Sequence, residues 1–403
     1  MKRRATLEDI ELADRSGEDQ INAADIIPFN RVYLTGKEQD YFLDVLKAKE
    51  LACNGRYTHK VQDWLKNRLG TKGAFLTGAG TLALEMAALL LDLEPGDEVI
   101  MPSFTFVTTA SAFARAGATP VFVDIKADTM NIDVAQVEKA ISNKTKAIVP
   151  VHYAGVGCNM DALQKLAKKH SLAIVEDAAH GILATYKDRY LGTIGDIGVL
   201  SFHETKNVVG GEAGALLINN EKYLTKARQL WHKGTNKHDM ELGLVGKYTW
   251  TELGSAFAAS EITASVVWAQ IEKAAEIVEM RKAAWQRYYE LLVPLAKTGS
   301  ISLPHVPNDC VQNGHIFYFL TQSKEVREAL IKHLKEDKIE SVFHYIPLHS
   351  SPAGLKYGKC RGDLSTTDSA SERLLRLPLW ADLNESLQKR IVASIEKFYQ
   401  AKV

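Results

Sequence analysis

The chain has 403 residues, and its 49 Lys and Arg balance 49 Asp and Glu, so the formal charge is zero. That length admits a large catalytic unit plus a smaller one. The balanced charge offers no electrostatic footprint for nucleic acid or an anionic membrane.

The start of the chain is basic at Lys2-Arg3-Arg4 but has no apolar run behind it, so no secretory signal is expected. The apolar stretch Met86–Leu91, flanked by Glu85 and Asp92, is too short to span a bilayer. Cys53, Cys158, Cys310 and Cys360 lie far apart with no CxxC pair. That spacing argues against a zinc site or disulfide framework and for a reducing, cytoplasmic setting. No metal is expected.

Residues 1–25 read as a polar extension without apolar period, and residues 26–50 as a segment that returns to a smaller unit. From Gly70 onward, short β-branched runs alternate with helical stretches. Strands are predicted at 73–77, 98–101, 119–125, 146–152, 172–177, 198–202 and 214–219. Helices are predicted at 81–91, 106–116 and 160–170 between them. Apolar strands spaced by helices indicate an α/β fold with a mostly parallel seven-stranded sheet sandwiched by helices. This large unit is expected over 51–270. Beyond it, a helix over 271–292 opens a smaller α/β C-terminal domain over 271–403.

In such sheets, ligands gather at the carboxyl ends of the strands. Three strand ends carry suggestive chemistry. The run Ala173–His180 places Asp177 where an apolar strand stops. A carboxylate there needs a cationic partner, which a pyridinium nitrogen supplies; the alternative is an ordinary helix-capping Asp. Lys206 follows 29 positions later, after the strand that ends near Ser201 and before Gly210-Gly211. A lysine just past a buried strand is desolvated, which lowers its pKa and suits it to form an imine. A lone lysine near glycines is otherwise a surface residue. In Thr77-Gly78-Ala79-Gly80-Thr81, glycines at a helix start expose backbone N–H groups to an anion, and Thr81 adds a hydroxyl. A tight strand-to-helix turn is the competing reading. In Pro102-Ser103-Phe104-Thr105-Phe106, a ring can cover a flat heterocycle, with core packing the reading preferred for Phe104.

Together these motifs, with Pro150-Val151-His152, resemble the DegT/StrS sugar-nucleotide aminotransferases among the fold-type I pyridoxal-phosphate (PLP) enzymes. The resemblance covers the chain from about Ile27 to Tyr399. It implies the fold-type I transferase fold and PLP held as a Schiff base on Lys206. It also implies Asp177 at the pyridine nitrogen, Phe106 against the ring, and His180 near the phenolic oxygen or ring face. Gly80, Thr81 and Ser201 would take the phosphate. A finer resemblance is carried by Pro150–Gly155, Ser201–Asn207, Lys247–Trp250, Phe343–His349 and Ser371–Leu379. These stretches are similar to the branch that moves the amino group of L-glutamate to C4 of dTDP-4-dehydro-6-deoxy-D-glucose. The product there is dTDP-4-amino-4,6-dideoxy-D-galactose, for surface polysaccharides. His203, Lys247, Tyr248, Tyr345 and His349 are the candidate substrate contacts. The resemblance further implies a homodimer with shared active sites.

Three positions depart from the common pattern: Ala79 where Ser is frequent, Ala258 where a neighbouring subunit's Asn would reach the phosphate, and Ala213 within the glycine stretch. Competing readings are amination at C3 or on a UDP- or GDP-sugar, and a PLP sugar dehydratase. Relatives of the latter kind carry His at the lysine position, whereas Lys206 is present here. A non-catalytic PLP-binding regulator would need a DNA-binding helix pair for which residues 1–25 are too short.

Overall fold

The computed structural model describes residues 25–401; the predicted extension over 1–25 lies almost wholly outside them. One sheet has the order Gly73–Thr77, Gly214–Ile218, Ile197–Ser201, Ala173–Asp177, Thr145–Ile148, Glu98–Pro102, Thr119–Val123, Lys359–Cys360. The strand Gly214–Ile218 runs antiparallel to both neighbours, and the remaining pairs are parallel. Every residue of Gly73–Thr77, Glu98–Pro102 and Gly214–Ile218 is buried. Both faces are covered, so these strands read as continuous apolar runs without alternation.

The sheet has eight strands where seven were expected. The eighth is the two-residue strand Lys359–Cys360, which pairs in parallel with Val121 and Phe122. Neither of its residues is buried, so no hydrophobic pattern announced it. A second difference concerns the helix expected over 271–292. The chain breaks at Lys273 (φ −110°, ψ 9°) into Glu261–Glu272 and Ala274–Lys297. No proline or glycine marks the break in the sequence, because apolar residues continue on both sides of it.

The helix Gly80–Leu90 buries Ala83, Leu84, Met86, Ala87, Ala88 and Leu90, so its apolar surface wraps most of its circumference. It packs against Val107–Arg115 and the strands Ile197–Ser201 and Gly214–Ile218, which holds its N-terminus over the strand ends. A separate core gathers Trp285, Tyr288, Phe317, Phe319, Leu375, Trp380 and Ile395 together with Ile27. Ile27 reaches it through a parallel bridge to Ile339, donating to the Lys338 carbonyl and accepting from the Glu340 N–H at 2.9 and 3.0 Å. The helix Glu38–Ala48 instead lies on Glu261–Glu272, where the Tyr41 hydroxyl donates to Glu272. Among the described residues, no helix is long and apolar enough to cross a membrane.

Candidate active site

A cavity of about 540 Å³ opens at the carboxyl ends of the central strands, lined by residues of the large sheet's strand ends and by Phe29, His315, Ile316, His344, Tyr345 and Arg376. It brings together Gly80, Thr81, Phe106, Asp177, His180, Ser201, His203, Lys206 and Tyr345. These come from separate segments of the sequence.

Strand geometry separates two adjacent carboxylates. Side chains alternate across a strand, so Glu176 and Asp177 face opposite sides of the sheet. Glu176 is fully buried and saturated: its oxygens accept from Gly192, Ile194 and Gly195 N–H groups at 2.9, 2.6 and 2.5 Å, and Nε2 of His152 lies 2.8 Å away. Asp177 accepts only from the Thr109 hydroxyl at 2.7 Å and the Ala179 N–H at 3.1 Å. Thr109 in turn lies 2.9 Å from the Thr105 hydroxyl, which fixes its rotamer. A carboxylate has about four acceptor sites, so Asp177 keeps capacity facing the cavity while Glu176 keeps none.

Lys206 sits in the turn after Ile197–Ser201, with its N–H bonded to the His203 carbonyl at 2.9 Å. Burial pushes its amine down to about 8; Asp177 pulls the other way and the Arg376 guanidinium adds to the lowering. The neutral, nucleophilic amine is thereby far more populated near neutrality than that of an ordinary lysine. His180 is buried, and burial holds its pKa well below the usual histidine range, helped by Lys206 and Arg376. Its Nδ1 accepts from the Ala154 N–H at 3.3 Å, which assigns the proton to Nε2. Its ring lies against His315, with centroids 4.4 Å apart.

The helix Gly80–Leu90 begins without a side-chain cap at Ala79, so its first amides are uncommitted. A β-carbon on Gly80 would meet the Ser201 side chain at 3.0 Å, and one on Gly214 would lie 2.5 Å from the Gly80 nitrogen. The glycine the cradle cannot lose is therefore Gly214; Ala213 is fully buried beside it. Phe106 stands at the N-cap of Val107–Arg115 with 54% of its surface exposed. Phe104 is buried against Tyr153 and Tyr345.

The remaining candidates divide. His203 holds Thr205 through Nδ1, and its Nε2 lies 3.5 Å from Glu212. Tyr345 occupies a left-handed backbone position (φ 50°) with its ring stacked on His344. His349 does not line the cavity: its Nδ1 lies 2.8 Å from the Ser103 hydroxyl, and its Nε2 3.4 Å from Asp368. Lys247 and Tyr248 lie on an exposed excursion and also stay outside it. His232, His238 and Glu241 form the one group of three potential metal ligands found among the described residues, with ligand atoms within 4.8 Å, and none lines the cavity.

Thr109, His315, His344 and Arg376 belong to this site and escaped the sequence reading. Thr109 lies one turn beyond the Phe104-Thr105-Phe106 motif, while His344 and Arg376 fall inside quoted motifs without a role of their own.

These residues fit PLP. A desolvated amine, an undersaturated carboxylate, an uncapped helix start beside a hydroxyl, and an exposed ring answer the cofactor's aldehyde, pyridine nitrogen, phosphate and face.

Comparison with known proteins gives the same direction. The model of the DegT/DnrJ/EryC1/StrS aminotransferase family matches residues 33–396. The chain is 31% identical over 371 residues to the GDP-perosamine synthase of Caulobacter vibrioides, covering 90% of this chain and 96% of that one. The PLP form of the putative sugar aminotransferase Spr1654 from Streptococcus pneumoniae superposes with a TM-score of 0.85 at 26% identity, over 94% of this chain and 100% of that one. Helicobacter pylori PseC, an aminotransferase involved in pseudoaminic acid biosynthesis, gives a TM-score of 0.85 at 26% identity, over 93% and 100%.

Proposed function

This chain belongs to the DegT/DnrJ/EryC1/StrS aminotransferase family, and from that premise we propose that it moves the amino group of L-glutamate to C4 of dTDP-4-dehydro-6-deoxy-D-glucose. The observation that carries the reaction class is the desolvated Lys206 amine sharing one cavity with the undersaturated Asp177. When bound, PLP supplies an aldehyde for the amine and a protonated ring that withdraws electrons from the reacting carbon.

The protein's own groups do the rest. Lys206 would hold the cofactor through its amine and, once the amino group of the donor has displaced it, the freed amine would take the proton from Cα of the amino acid and return it at the cofactor. A base positioned in this way contributes about 10²–10⁴ in rate. Asp177 keeps the ring nitrogen protonated, and Thr109 fixes the carboxylate that does so. The free amides at the start of Gly80–Leu90, with Thr81 and Ser201, bind the phosphate. Phe106 covers one face of the ring, and His180 presents its Nε2–H beside it. Glutamate enters and 2-oxoglutarate leaves before the keto sugar binds, so the kinetics are ping-pong.

The excursion that carries Lys247 and Tyr248 exposes Leu244, Tyr248, Trp250 and Leu253, with Trp250 74% accessible. Apolar side chains displayed in that number favour burial in a homodimer, where Lys247 and Tyr248 reach the neighbouring cavity.

The dTDP-sugar is supported by the motif resemblance along Ser201–Asn207, Phe343–His349 and Ser371–Leu379. A GDP-linked keto sugar is the second reading, because a GDP-perosamine synthase is among the similar proteins. Purified protein with PLP and glutamate is offered the dTDP- and GDP-linked 4-keto-6-deoxy sugars in turn, and the aminated nucleotide is followed by mass spectrometry. The expected product is dTDP-4-amino-4,6-dideoxygalactose. Amination of the GDP-sugar alone would replace the nucleotide assignment and leave the reaction class standing.

A further inference from the structure

The excursion that carries Lys247 and Tyr248 leaves the rest of the chain through a narrow neck. Thr235 and Trp250 form an antiparallel bridge there. The Thr251 and Glu252 N–H groups donate to the Gly234 carbonyl at 2.8 and 3.0 Å, and the Thr249 N–H donates to Oδ1 of Asn236 at 2.7 Å.

Three side chains with metal-binding atoms stand at this neck. His232 follows the helix Leu224–Trp231, whereas His238 and Glu241 lie on the short helix Lys237–Glu241. One ligand atom from each comes within 4.8 Å of the other two. The two imidazoles lie face to face, with centroids 6.1 Å apart and planes 18° from parallel. On the other side the Trp231 ring meets His232 edge-on at 4.9 Å. Trp231 is buried, and its indole N–H donates to the Leu76 carbonyl at 2.7 Å, so His232 rests against a fixed wall.

Nothing in the fold uses these ligand atoms. The half-buried His232 imidazole makes no hydrogen bond to any described residue, although a partly buried ring nitrogen ordinarily finds a partner. Nδ1 of His238 lies 3.9 Å from one oxygen of Glu241, beyond hydrogen-bond distance. The other oxygen of Glu241 is 3.5 Å from the Lys237 ammonium. That exposed pair contributes little and gives way easily.

Two imidazoles and one carboxylate suit a divalent transition ion, whereas calcium and magnesium take oxygen sets. Zinc holds such ligands at about 2.0–2.2 Å, which sets them ~3.3 Å apart in a tetrahedron. Closing to that spacing needs side-chain rotation only, because Glu241 is exposed and none of the three ligand atoms is committed elsewhere by a hydrogen bond.

We propose that His232, His238 and Glu241 bind one divalent transition-metal ion of zinc's class, with water at the remaining position. The site is separate from the catalytic cavity, which none of the three lines, and it stands independently of the aminotransfer reading. Its effect is mechanical. The ion joins the end of Leu224–Trp231 to Lys237–Glu241, and so braces the neck from which Lys247, Tyr248 and Trp250 are displayed.

The test uses the untagged holoenzyme, stripped with a chelator and titrated with zinc chloride in a calorimeter. Cobalt(II) then replaces zinc, and its visible absorbance reports a four-coordinate site. Wild type is expected to bind one ion per chain. H238A and E241A should each weaken zinc by about 100-fold, equivalent to ~2.8 kcal/mol at 1.4 kcal/mol per tenfold. Both side chains lie on the outer side of the site, so these variants carry the test without disturbing the wall at Trp231. Hydrogen exchange of the amides between 234 and 252 should slow on adding zinc to wild type and not to H238A. The PLP absorbance should not move below one equivalent of zinc. A band shift that accompanies the heat would put the ion on the cavity histidines and overturn the assignment. Zinc binding that both variants leave unchanged also overturns it. So does binding that H238A removes and E241A does not, which would leave only a surface histidine pair. Exchange that zinc does not alter would overturn the brace.

Discussion

Glu176→Gln is the substitution whose cost the structure fixes most closely. Oε1 of Glu176 accepts from Ile194 and Gly195, and Oε2 from Gly192 while facing Nε2 of His152. Glutamine keeps one oxygen and turns the other into a donor. Whichever way the amide is placed, its NH₂ meets at least one backbone N–H, and the charge that strengthened all four contacts is gone. Hydrogen bonds to a charged group contribute about 1.5–3 kcal/mol each. Losing two of them costs ~3–6 kcal/mol, well above the usual range for a point substitution. The chain from Tyr190 to Gly195 depends on this carboxylate, so the damage reaches the loop before the strand Ile197–Ser201. The assay is urea denaturation of the cofactor-free protein, with Asp177→Asn as the neighbouring control. Asp177 has only two partners in the protein, so its amide should shift the midpoint much less. A Glu176→Gln shift worth under ~1 kcal/mol, or no larger than that of Asp177→Asn, refutes the argument that one carboxylate is structural and the other is kept free.

Lys206→Ala should abolish turnover, checked by 2-oxoglutarate release; substantial remaining transamination sinks the assignment. Asp177→Asn should retain PLP yet lose about 10²-fold or more in kcat, and near-normal turnover would refute its role at the ring nitrogen. The pH dependence of PLP uptake by the cofactor-free protein follows from Lys206. Its amine titrates near 8 rather than 10.5, so the neutral fraction should rise about tenfold per pH unit up to that point and then level off. Uptake that keeps climbing to pH 10 contradicts the lowering. The same group makes the cofactor-free protein gain stability from pH 8 to 10.5, since the unfolded chain still holds the proton that the folded one has shed. Denaturation midpoints that fall over this window would reverse the sign.

Much of the site could be read before the structure because it is built where strands end. Asp177, Ser201 and Gly80 each stand at a change of period, from continuous apolar residues to a turn, and that change is visible in a single sequence. The residues that escaped lie where no period changes. Thr109 is one hydroxyl among several in a helix, and only the 2.7 Å contact with Asp177 gives it a task. Arg376 sits among leucines, and the contact of its guanidinium with the Phe29 ring at the cavity wall is a property of three dimensions. Tyr345 and His349 shared one motif, yet the turn Leu348–Ser350 carries His349 to Ser103 and away from the cavity. Lys247 and Tyr248 lie on an exposed excursion outside the cavity, and no change of period in the sequence marks that placement.

Ile27 and the strand Lys359–Cys360 also set a timetable for synthesis. Ile27 is fully buried, but its partner Ile339 emerges 312 residues later (339 − 27). At about 5–20 residues per second, that interval is roughly 15–60 s. Throughout it the nascent chain presents an apolar N-terminal segment with nowhere to dock. The strand Thr119–Val123 likewise waits as an open edge until Lys359 and Cys360 cover it. A ribosome-bound chain halted between residues 220 and 340 should therefore hold most of its sheet and still need a chaperone at both places.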